Sequence, residues 1–156
     1  MITLLWAQTN EGVIGQNEKL PWNIKEEMQH FIKYTKNKTV LMGRKTWDSL
    51  YVKPLPNRQN IVITNQNLVF DHKDIKFTNK LENVLKDFKN SQEELIIIGG
   101  KQIFELTLEY ANKLVVSYIK EDYKGDVYAP FVDLNLWKVT QTSEFDEFIV
   151  RIYERY

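Results

Sequence analysis

The sequence predicts an α/β domain with a largely parallel central sheet. Short, nearly continuous apolar runs are typical of strands that are covered on both faces. Such runs occur at Ile2–Gln8, Val40–Met42, Ile61–Ile63, Leu95–Ile98 and Leu114–Val116. Amphipathic helical patterns separate several of them, at Ile24–Thr35, Leu81–Phe88 and Gln102–Tyr110. Apolar strands that alternate with amphipathic helices indicate a parallel sheet with helices on both faces.

The C-terminal part of the chain has a different pattern. Trp137–Ser143 and Phe148–Tyr153 alternate apolar and polar residues on either side of the short loop Glu144–Glu147. This alternation predicts an antiparallel strand pair at one edge of the sheet. The polar segment Asn65–Asp74 predicts a surface connection. No repeat or change of composition divides the chain, so we expect a single domain over residues 1–156.

The composition argues against several classes of site. Lysine plus arginine equals aspartate plus glutamate at 21 each, so no global basic field would recruit nucleic acid or an acidic membrane. The chain has no cysteine and only two histidines, which argues against thiol chemistry and a metal centre. The N-terminus has neither the basic region of a signal sequence nor the length of a membrane span. We therefore expect a soluble, cytoplasmic monomer.

The stretch from Gly12 to Phe31 joins a loop to the start of a helix. Its first half is polar and contains two glycines, which predicts a mobile loop, and Pro21 marks its boundary. After Asn23, a candidate N-cap, apolar residues follow helical spacing and predict a core-facing stripe. The stripe comprises Ile24, Met28, Phe31 and Ile32.

Glu27 is the candidate functional residue of this helix. At about 100° per residue, Glu26 points away from the apolar stripe, whereas Glu27 lies on the flank of the stripe, one turn before Phe31. A carboxylate in that position would be desolvated, which raises its pKa. The alternative is a glutamate at the helix edge that pairs with a lysine such as Lys33.

Two turns that contain glycine follow predicted strands and could bind phosphate. Gly43–Trp47 would present backbone N–H groups, two cations and a hydroxyl, although a surface turn explains it equally well. Ile98–Gln102 has two consecutive glycines, which allow a ligand to approach closely, and a tight turn explains them almost as well. Ligands bind at the carboxyl ends of strands in open α/β sheets. Together the two turns indicate a ligand with several phosphates.

A stiff loop over Lys53–Arg58 enters the Ile61–Ile63 strand. Pro54 and Pro56 flank Leu55 and restrict the backbone, which sets the direction in which Leu55 and Arg58 project. The planar fork of Arg58 could bind a ligand carboxylate. An ordinary surface ion pair is the alternative.

Eight stretches form a set that covers essentially the whole chain. They are Leu5–Gln8, Val13–Gly15, Leu20–Trp22, Glu27 with Phe31, Met42–Trp47, Pro54–Asn60, Ile98–Gly100 and Gly125–Asp126. In this order and spacing they resemble the dihydrofolate reductase family, and Leu5–Gln8 is most similar to lactobacillus-like bacterial members. The resemblance implies an eight-stranded, mostly parallel sheet that holds NADPH and dihydrofolate side by side.

The resemblance also implies roles for individual residues in substrate binding. Glu27 would anchor the pterin ring, with Ser117 hydrogen-bonded to its carboxylate, and Arg58 would receive the carboxylate of the glutamate tail. Leu20 and Trp22 would join Glu27 at the catalytic centre. The apolar pocket would be lined by Leu5, Ala7, Met28, Phe31, Leu50 and Leu55.

A second set of residues would bind the cofactor. Arg44, Thr64 and Asn65 would surround the 2′-phosphate of NADPH, and the Gly99–Gly100 pair would carry a non-proline cis peptide. The implied cofactor contacts are Ala7, Ile14, Gly15, Gly43, Arg44, Lys45, Thr46, Thr64, Asn65, Ile98, Gly99, Gly100, Lys101, Gln102, Ile103 and Phe104.

The reaction implied by the resemblance is reduction of 7,8-dihydrofolate to 5,6,7,8-tetrahydrofolate, with a hydride to carbon 6 and a proton to nitrogen 5. Glu27 would orient and polarise the pterin, and the proton would arrive through a water admitted by the Leu20 loop. The expected partners are dihydrofolate and antifolate inhibitors, with no nucleic acid and no membrane. Two alternatives stay open. One is a reductase acting on a pyrimidine intermediate of riboflavin synthesis, and the other is a nucleotide- or pterin-binding protein without turnover.

Four positions depart from the common bacterial pattern. Glu27 replaces an aspartate and reaches further, Leu20 replaces a methionine, and Ser117 replaces a threonine. Ala129 is smaller than the residue usually found there. A second loop, Lys124–Asp126, is expected beside Gly15, with the side-chain oxygens of Asp126 accepting hydrogen bonds from backbone N–H groups. The alternative is a simple turn in which Asp126 caps its own backbone.

Overall fold

Eight strands form the central sheet of the computed structural model, which describes residues 1–15 and 20–156. The eight are β1 (Ile2–Thr9), β3 (Thr39–Gly43), β4 (Gln59–Ile63), β5 (Ile75–Thr78), β6 (Leu95–Gly99), β7 (Lys113–Ile119), β9 (Trp137–Glu144) and β10 (Phe148–Arg155), and the two strands outside this sheet are β2 (Val13–Gly15) and β8 (Val127–Tyr128). The order in the sheet is β5-β4-β3-β6-β1-β7-β10-β9. Neighbours from β5 to β7 are parallel, and β10 is antiparallel to both β7 and β9. The predicted sheet with an antiparallel C-terminal edge is confirmed.

Helices cover both faces of this sheet. They are α1 (Lys25–Thr35), α2 (Arg44–Ser49), α3 (Leu81–Lys89) and α4 (Lys101–Thr107), and α4 continues into a short 3₁₀ helix at Leu108–Tyr110. Because strand side chains alternate between faces, the core forms two clusters. Phe31 and Trp47 bring α1 and α2 into one cluster, whereas Val84 and Phe104 bring α3 and α4 into the other. None of the helices in the described ranges is long and apolar enough to cross a membrane.

Helix α1 is rotated relative to the sequence-based prediction. Glu27 and Thr35 are buried, whereas Met28 and Ile32, which were predicted to face the core, are 47% and 48% exposed. The N-cap residue is Ile24, whose side chain makes no capping hydrogen bond, so the prediction of Asn23 as the cap is wrong. The helix packs on the sheet through the face that carries Glu27, which leaves part of the apolar stripe uncovered.

Three short strands were not predicted from the sequence pattern. β5 is a four-residue strand at the sheet edge, and β2 and β8 form a separate antiparallel pair. The predicted mobile loop therefore begins with a strand at Val13–Gly15. Its continuation at residues 16–19 lies outside the described residues.

Candidate active site

Glu27 lies in the first turns of α1 with its side chain turned toward the protein interior. The residue is 9% exposed, and burial raises the pKa of its carboxyl from 4.5 to about 7. No cation lies within 4 Å of this carboxylate in the described ranges, so the alternative pairing with Lys33 is not formed. Glu26 is exposed, as expected. The site therefore contains a buried carboxyl group that has no counter-ion among the described residues and is partly protonated near neutral pH.

Most residues predicted for the apolar pocket lie together on the face of the sheet that carries α1. One hydrophobic cluster contains Leu5, Ala7, Phe31, Leu50 and Leu55, together with Trp22. Met28 lies outside this cluster on the exposed flank of α1. An apolar surface therefore adjoins Glu27 and is partly open to solvent.

Ser117 is buried on β7, where it is the register partner of Ala7 on β1. The predicted hydrogen bond from Ser117 to Glu27 is not formed within residues 1–15 and 20–156. Strand β7 nevertheless places the hydroxyl beside a pocket residue, because parallel register pairs lie next to each other in the sheet.

Trp22 contributes a second polar group to this region. Its side chain is 6% exposed and packs against Tyr123, with ring centroids 5.9 Å apart. The indole Nε1–H is buried, and no described residue accepts a hydrogen bond from it. Leu20, which precedes Pro21 and Trp22, is half exposed. A buried donor without an acceptor is a rare feature, and it suits a polar ligand atom.

Arg58 lies at the opposite end of α1 from Glu27. It is 6% exposed, and its guanidinium donates hydrogen bonds to the Thr35 hydroxyl and to the backbone carbonyls of Ile32 and Pro56. No carboxylate within the described ranges lies within 4 Å of it, so the alternative of a surface ion pair is wrong. Burial lowers the pKa of Arg58. A buried cation that has only neutral acceptors suits an anionic ligand.

The ends of β3 and β6 meet where the sequence predicted phosphate binding. A β-carbon added at Gly99 would lie 3.2 Å from the Thr46 hydroxyl, so a larger residue at this position would crowd the Thr46 side chain. Gly99 has a φ of +136°, which favours glycine, and the Gly99–Gly100 peptide is cis, as predicted. Because α2 and α4 begin directly after these strands, their first N–H groups have no partner within their helices. The carboxyl ends of β3 and β6 therefore bring these backbone N–H donors close to the Thr46 hydroxyl.

The candidate residues for the 2′-phosphate follow two neighbouring strands. Gly43 on β3 pairs with Ile63 on β4, so Arg44 and Thr64 leave the sheet side by side. Arg44 Nε lies 3.4 Å from a carboxylate oxygen of Asp48, and the exposed Asn65 follows Thr64. The other predicted cofactor residues divide into exposed Lys45, Lys101 and Gln102, partly buried Ile14 and Ile98, and buried Gly15, Gly43, Ile103 and Phe104.

Two buried polar residues beside Arg58 were missed by the sequence analysis. Thr35 is 0% exposed and accepts a hydrogen bond from Arg58, and Asn60 is 1% exposed and bonds to the backbone of Leu55 and Arg58. The sequence did contain a signal for both residues. Asn60 is a polar residue at the start of a buried strand, and Thr35 is a polar residue in the last turn of an amphipathic helix. That signal does not reveal the partner, because the contacts join distant parts of the chain.

Comparisons with known proteins agree with this geometry. The family model described as dihydrofolate reductase matches residues 1–153. A dihydrofolate reductase of Ureaplasma parvum is 43% identical over 153 residues, which cover 98% of this chain and 96% of the relative. One of Mycoplasma genitalium is 39% identical over 159 residues, with 99% and 98% covered.

A solved structure extends the similarity to three dimensions. It is a dihydrofolate reductase from Enterococcus faecalis complexed with NADP(H) and RAB-propyl. It superimposes with a TM-score of 0.87 at 27% identity, and 99% of this chain and 96% of that chain are covered. The chain therefore belongs to the dihydrofolate reductase family.

Proposed function

We propose that the partly open apolar surface beside Glu27, which we call the cleft, binds 7,8-dihydrofolate and that the glycine-rich edge of the sheet, with Gly43, Gly99 and Gly100, binds NADPH. The reaction is the NADPH-dependent reduction of dihydrofolate to tetrahydrofolate, the activity of the family. One observation carries this assignment: a buried carboxyl group, Glu27, and a buried guanidinium, Arg58, lie at the two ends of α1, and neither has a counter-ion within the described residues. Glu27 and Thr35, which contacts Arg58, lie roughly 12 Å apart along the helix axis at 1.5 Å per residue. This separation suits a ligand with a polar ring at one end and a carboxylate at the other.

The chain's residues have distinct tasks toward this ligand. Glu27 accepts hydrogen bonds from the pterin ring and polarises it, and the apolar cluster around Phe31 and Leu55 packs against the substrate. Arg58 keeps N–H groups for the tail carboxylate, because a guanidinium has five donors and three described contacts. The buried Trp22 N–H points to a polar contact near the ring or a bound water. Ser117, Leu50, Leu5 and Ala7 complete the pocket, Met28 flanks it on the exposed side of α1, and Leu20 lies at its edge.

The glycine-rich edge fits the cofactor on the chain's own geometry. The Thr46 hydroxyl and the first N–H groups of α2 and α4 would bind a pyrophosphate, and Arg44 with Thr64 and Asn65 would bind the 2′-phosphate. When bound there, NADPH supplies the hydride that reduces carbon 6 of the pterin. Protonation of nitrogen 5 depends on Glu27, because its raised pKa keeps a proton available in the cleft near neutral pH.

The decisive test of this assignment is Glu27→Gln, assayed as loss of NADPH absorbance on addition of dihydrofolate. The variant should keep its fold and its affinity for NADPH but slow turnover roughly 10²-fold at neutral pH. The rate should partly recover at low pH, where solvent protonates the substrate. Glu26→Gln is the matched control, because Glu26 is exposed on the same turn, and it should resemble the wild type.

Other outcomes would change the assignment. A Glu27→Gln enzyme within twofold of the wild type at every pH would remove Glu27 from the mechanism. Binding of NADPH by the wild type without oxidation in the presence of dihydrofolate would favour a binding protein without turnover.

The proposal extends to the state of the protein in the cell. A single domain over residues 1–156 is supported by two core clusters that flank one sheet. We also propose a cytoplasmic monomer that binds antifolate inhibitors. The equal numbers of acidic and basic residues support the absence of nucleic-acid binding. Light scattering at micromolar concentration checks the monomer.

A further inference from the structure

A cluster of three buried polar residues lies where α1 ends and β4 begins. Thr35 is 0% exposed, Asn60 is 1% exposed and Arg58 is 6% exposed. Polar side chains are rarely buried to this extent unless their hydrogen bonds are satisfied. The hydrogen bonds made by these three residues therefore indicate the structural role of the cluster.

Thr35 connects the helix to the arginine. Its hydroxyl donates a 2.8 Å hydrogen bond to the Phe31 carbonyl, which directs its lone pairs away from the helix. Arg58 Nε donates a 2.8 Å hydrogen bond to that oxygen. The other described acceptors of Arg58 are the backbone carbonyls of Ile32 and Pro56, which side-chain substitution leaves in place. Thr35 is thus the side-chain acceptor within the described ranges that orients the guanidinium.

Asn60 holds the backbone that carries Arg58. Its Nδ2 donates to the carbonyls of Leu55 and Arg58 at 3.0 and 3.1 Å. Its Oδ1 accepts the Leu55 N–H at 3.0 Å. The loop is braced by these bonds independently of Thr35. Loss of the Thr35 hydroxyl should therefore loosen the guanidinium while the loop keeps its position.

We infer that Thr35 is a positioning residue that aims Arg58 at the tail carboxylate of the substrate. The inference rests on the proposed function, in which Arg58 binds that carboxylate. Three of the five guanidinium N–H groups are used by Thr35, Ile32 and Pro56, so the remaining donors point in a direction set by these contacts. A bidentate arginine–carboxylate contact depends strongly on this direction. Thr35 therefore contributes to discrimination between substrates with and without the glutamate tail.

The experiment compares Thr35→Val with a matched control, Thr107→Val. Thr107 is also 0% exposed, and its hydroxyl donates to the Ile103 carbonyl at 2.7 Å, the same helical contact that Thr35 makes. The two substitutions should therefore lower the melting temperature to a similar extent. Only Thr35→Val should raise the KM for dihydrofolate, by roughly fivefold, with kcat nearly unchanged.

A substrate fragment separates positioning from general damage. The kcat/KM for a 6-methyl-7,8-dihydropterin, which lacks the aminobenzoyl-glutamate tail, should stay unchanged in Thr35→Val. Thr35→Ser keeps the hydroxyl and should restore the KM for dihydrofolate. If Thr35→Val does not fold, Thr35→Ala removes the same hydroxyl and gives the same comparison.

Arg58→Lys distinguishes failure of this inference from failure of the proposed function. This variant should weaken the binding of dihydrofolate more than the binding of the fragment, because lysine lacks the bidentate fork. If Arg58→Lys affects both substrates alike, the proposed carboxylate site is overturned, and the role of Thr35 falls with it. If Arg58→Lys discriminates but Thr35→Val does not, or if Thr107→Val gives the same KM change, the positioning role of Thr35 alone is overturned.

Discussion

The backbone N–H of Asp126 donates a 3.1 Å hydrogen bond to the carbonyl oxygen of Gly15. The Ala129 N–H donates a second one to the Gly12 carbonyl at 2.8 Å, and β2 pairs with β8 between them. The loops therefore lie side by side, as the sequence predicted. Between the residues that the structure describes, the contact is this main-chain bond rather than the predicted one through the Asp126 side chain, which is exposed. The residue that controls this contact is the preceding glycine.

Gly125→Ala should disrupt the pairing of the two loops. An added β-carbon would lie within 3.0 Å of both Val13 Cγ1 and the Gly15 carbonyl oxygen, so one strand must move. Hydride transfer in single-turnover experiments should slow by tenfold or more, since displacement by about 1 Å can cost ~10²-fold in rate. Asp126→Ala keeps the main-chain bond and is the control, with an expected change within about twofold. Equal slowing by both variants would assign the effect to the Asp126 side chain.

Glu27→Gln should change the pH dependence of stability. Because the folded-state pKa of Glu27 is raised from 4.5 to about 7, the stability that the protonated group contributes is complete below pH 4.5 and is lost as the pH rises through 7. Glutamine stays neutral, so the free energy of unfolding of the variant should rise relative to that of the wild type as the pH increases from 4.5 through 7, by on the order of 3 kcal/mol at most. Urea unfolding between pH 4 and 8 measures the difference. For the exposed Glu26→Gln control, the difference in unfolding free energy from the wild type should not depend on pH. The same result for Glu27→Gln would contradict the burial of Glu27.

Arg44→Ala should weaken NADPH binding more than NADH binding. A hydrogen bond to a charged group contributes about 1.5–3 kcal/mol, so the affinity for NADPH should fall roughly tenfold or more. Lys138→Ala is the control, because it removes a cation on β9, at the far edge of the sheet from β3. Fluorescence titration of both cofactors measures the ratio. Equal losses for NADPH and NADH would show that Arg44 does not contact the 2′-phosphate.

Glu94 is the acceptor for a cluster of donors at the other end of the sheet. Its carboxylate accepts hydrogen bonds from Thr3 at 2.6 Å, Lys38 at 2.8 Å and Tyr34 at 2.9 Å. Burial alone would raise the pKa of Glu94, but these bonds and the nearby Lys113 lower it below its ordinary value. The ionised carboxylate therefore stabilises the fold.

Glu94→Gln should destabilise the protein at neutral pH and much less in acid. A depressed folded-state pKa contributes stability above the ordinary pKa of 4.5, and that stability is lost as the pH falls through the folded-state pKa. The loss at pH 7 should be about 1–3 kcal/mol in urea unfolding. Glu93→Gln, a neighbouring exposed position, is the control and should have little effect. A loss that stays constant from pH 7 to pH 3 would show that the charge of Glu94 is unimportant.

The sequence alone determined the fold class and the family, and it predicted the candidate residues of the site. Alternation along a strand and helical spacing are local patterns, so runs such as Leu95–Ile98 predicted buried strands without knowledge of their neighbours. The Gly99–Gly100 pair and the Pro54–Arg58 loop were recognisable because backbone requirements restrict residue choice at those positions. Glu27 was identified because a carboxylate interrupts an apolar pattern.

Only the tertiary structure decided which side of α1 is buried and which groups hold the site in place. Met28 and Ile32 are apolar enough for a core, yet they remain half exposed because the buried side of the helix carries Glu27, Phe31 and Thr35. The hydrogen bond between Thr35 and Arg58 spans 23 residues of chain. Contacts of this kind depend on where distant segments meet, and the local pattern of residues contains no information about that meeting.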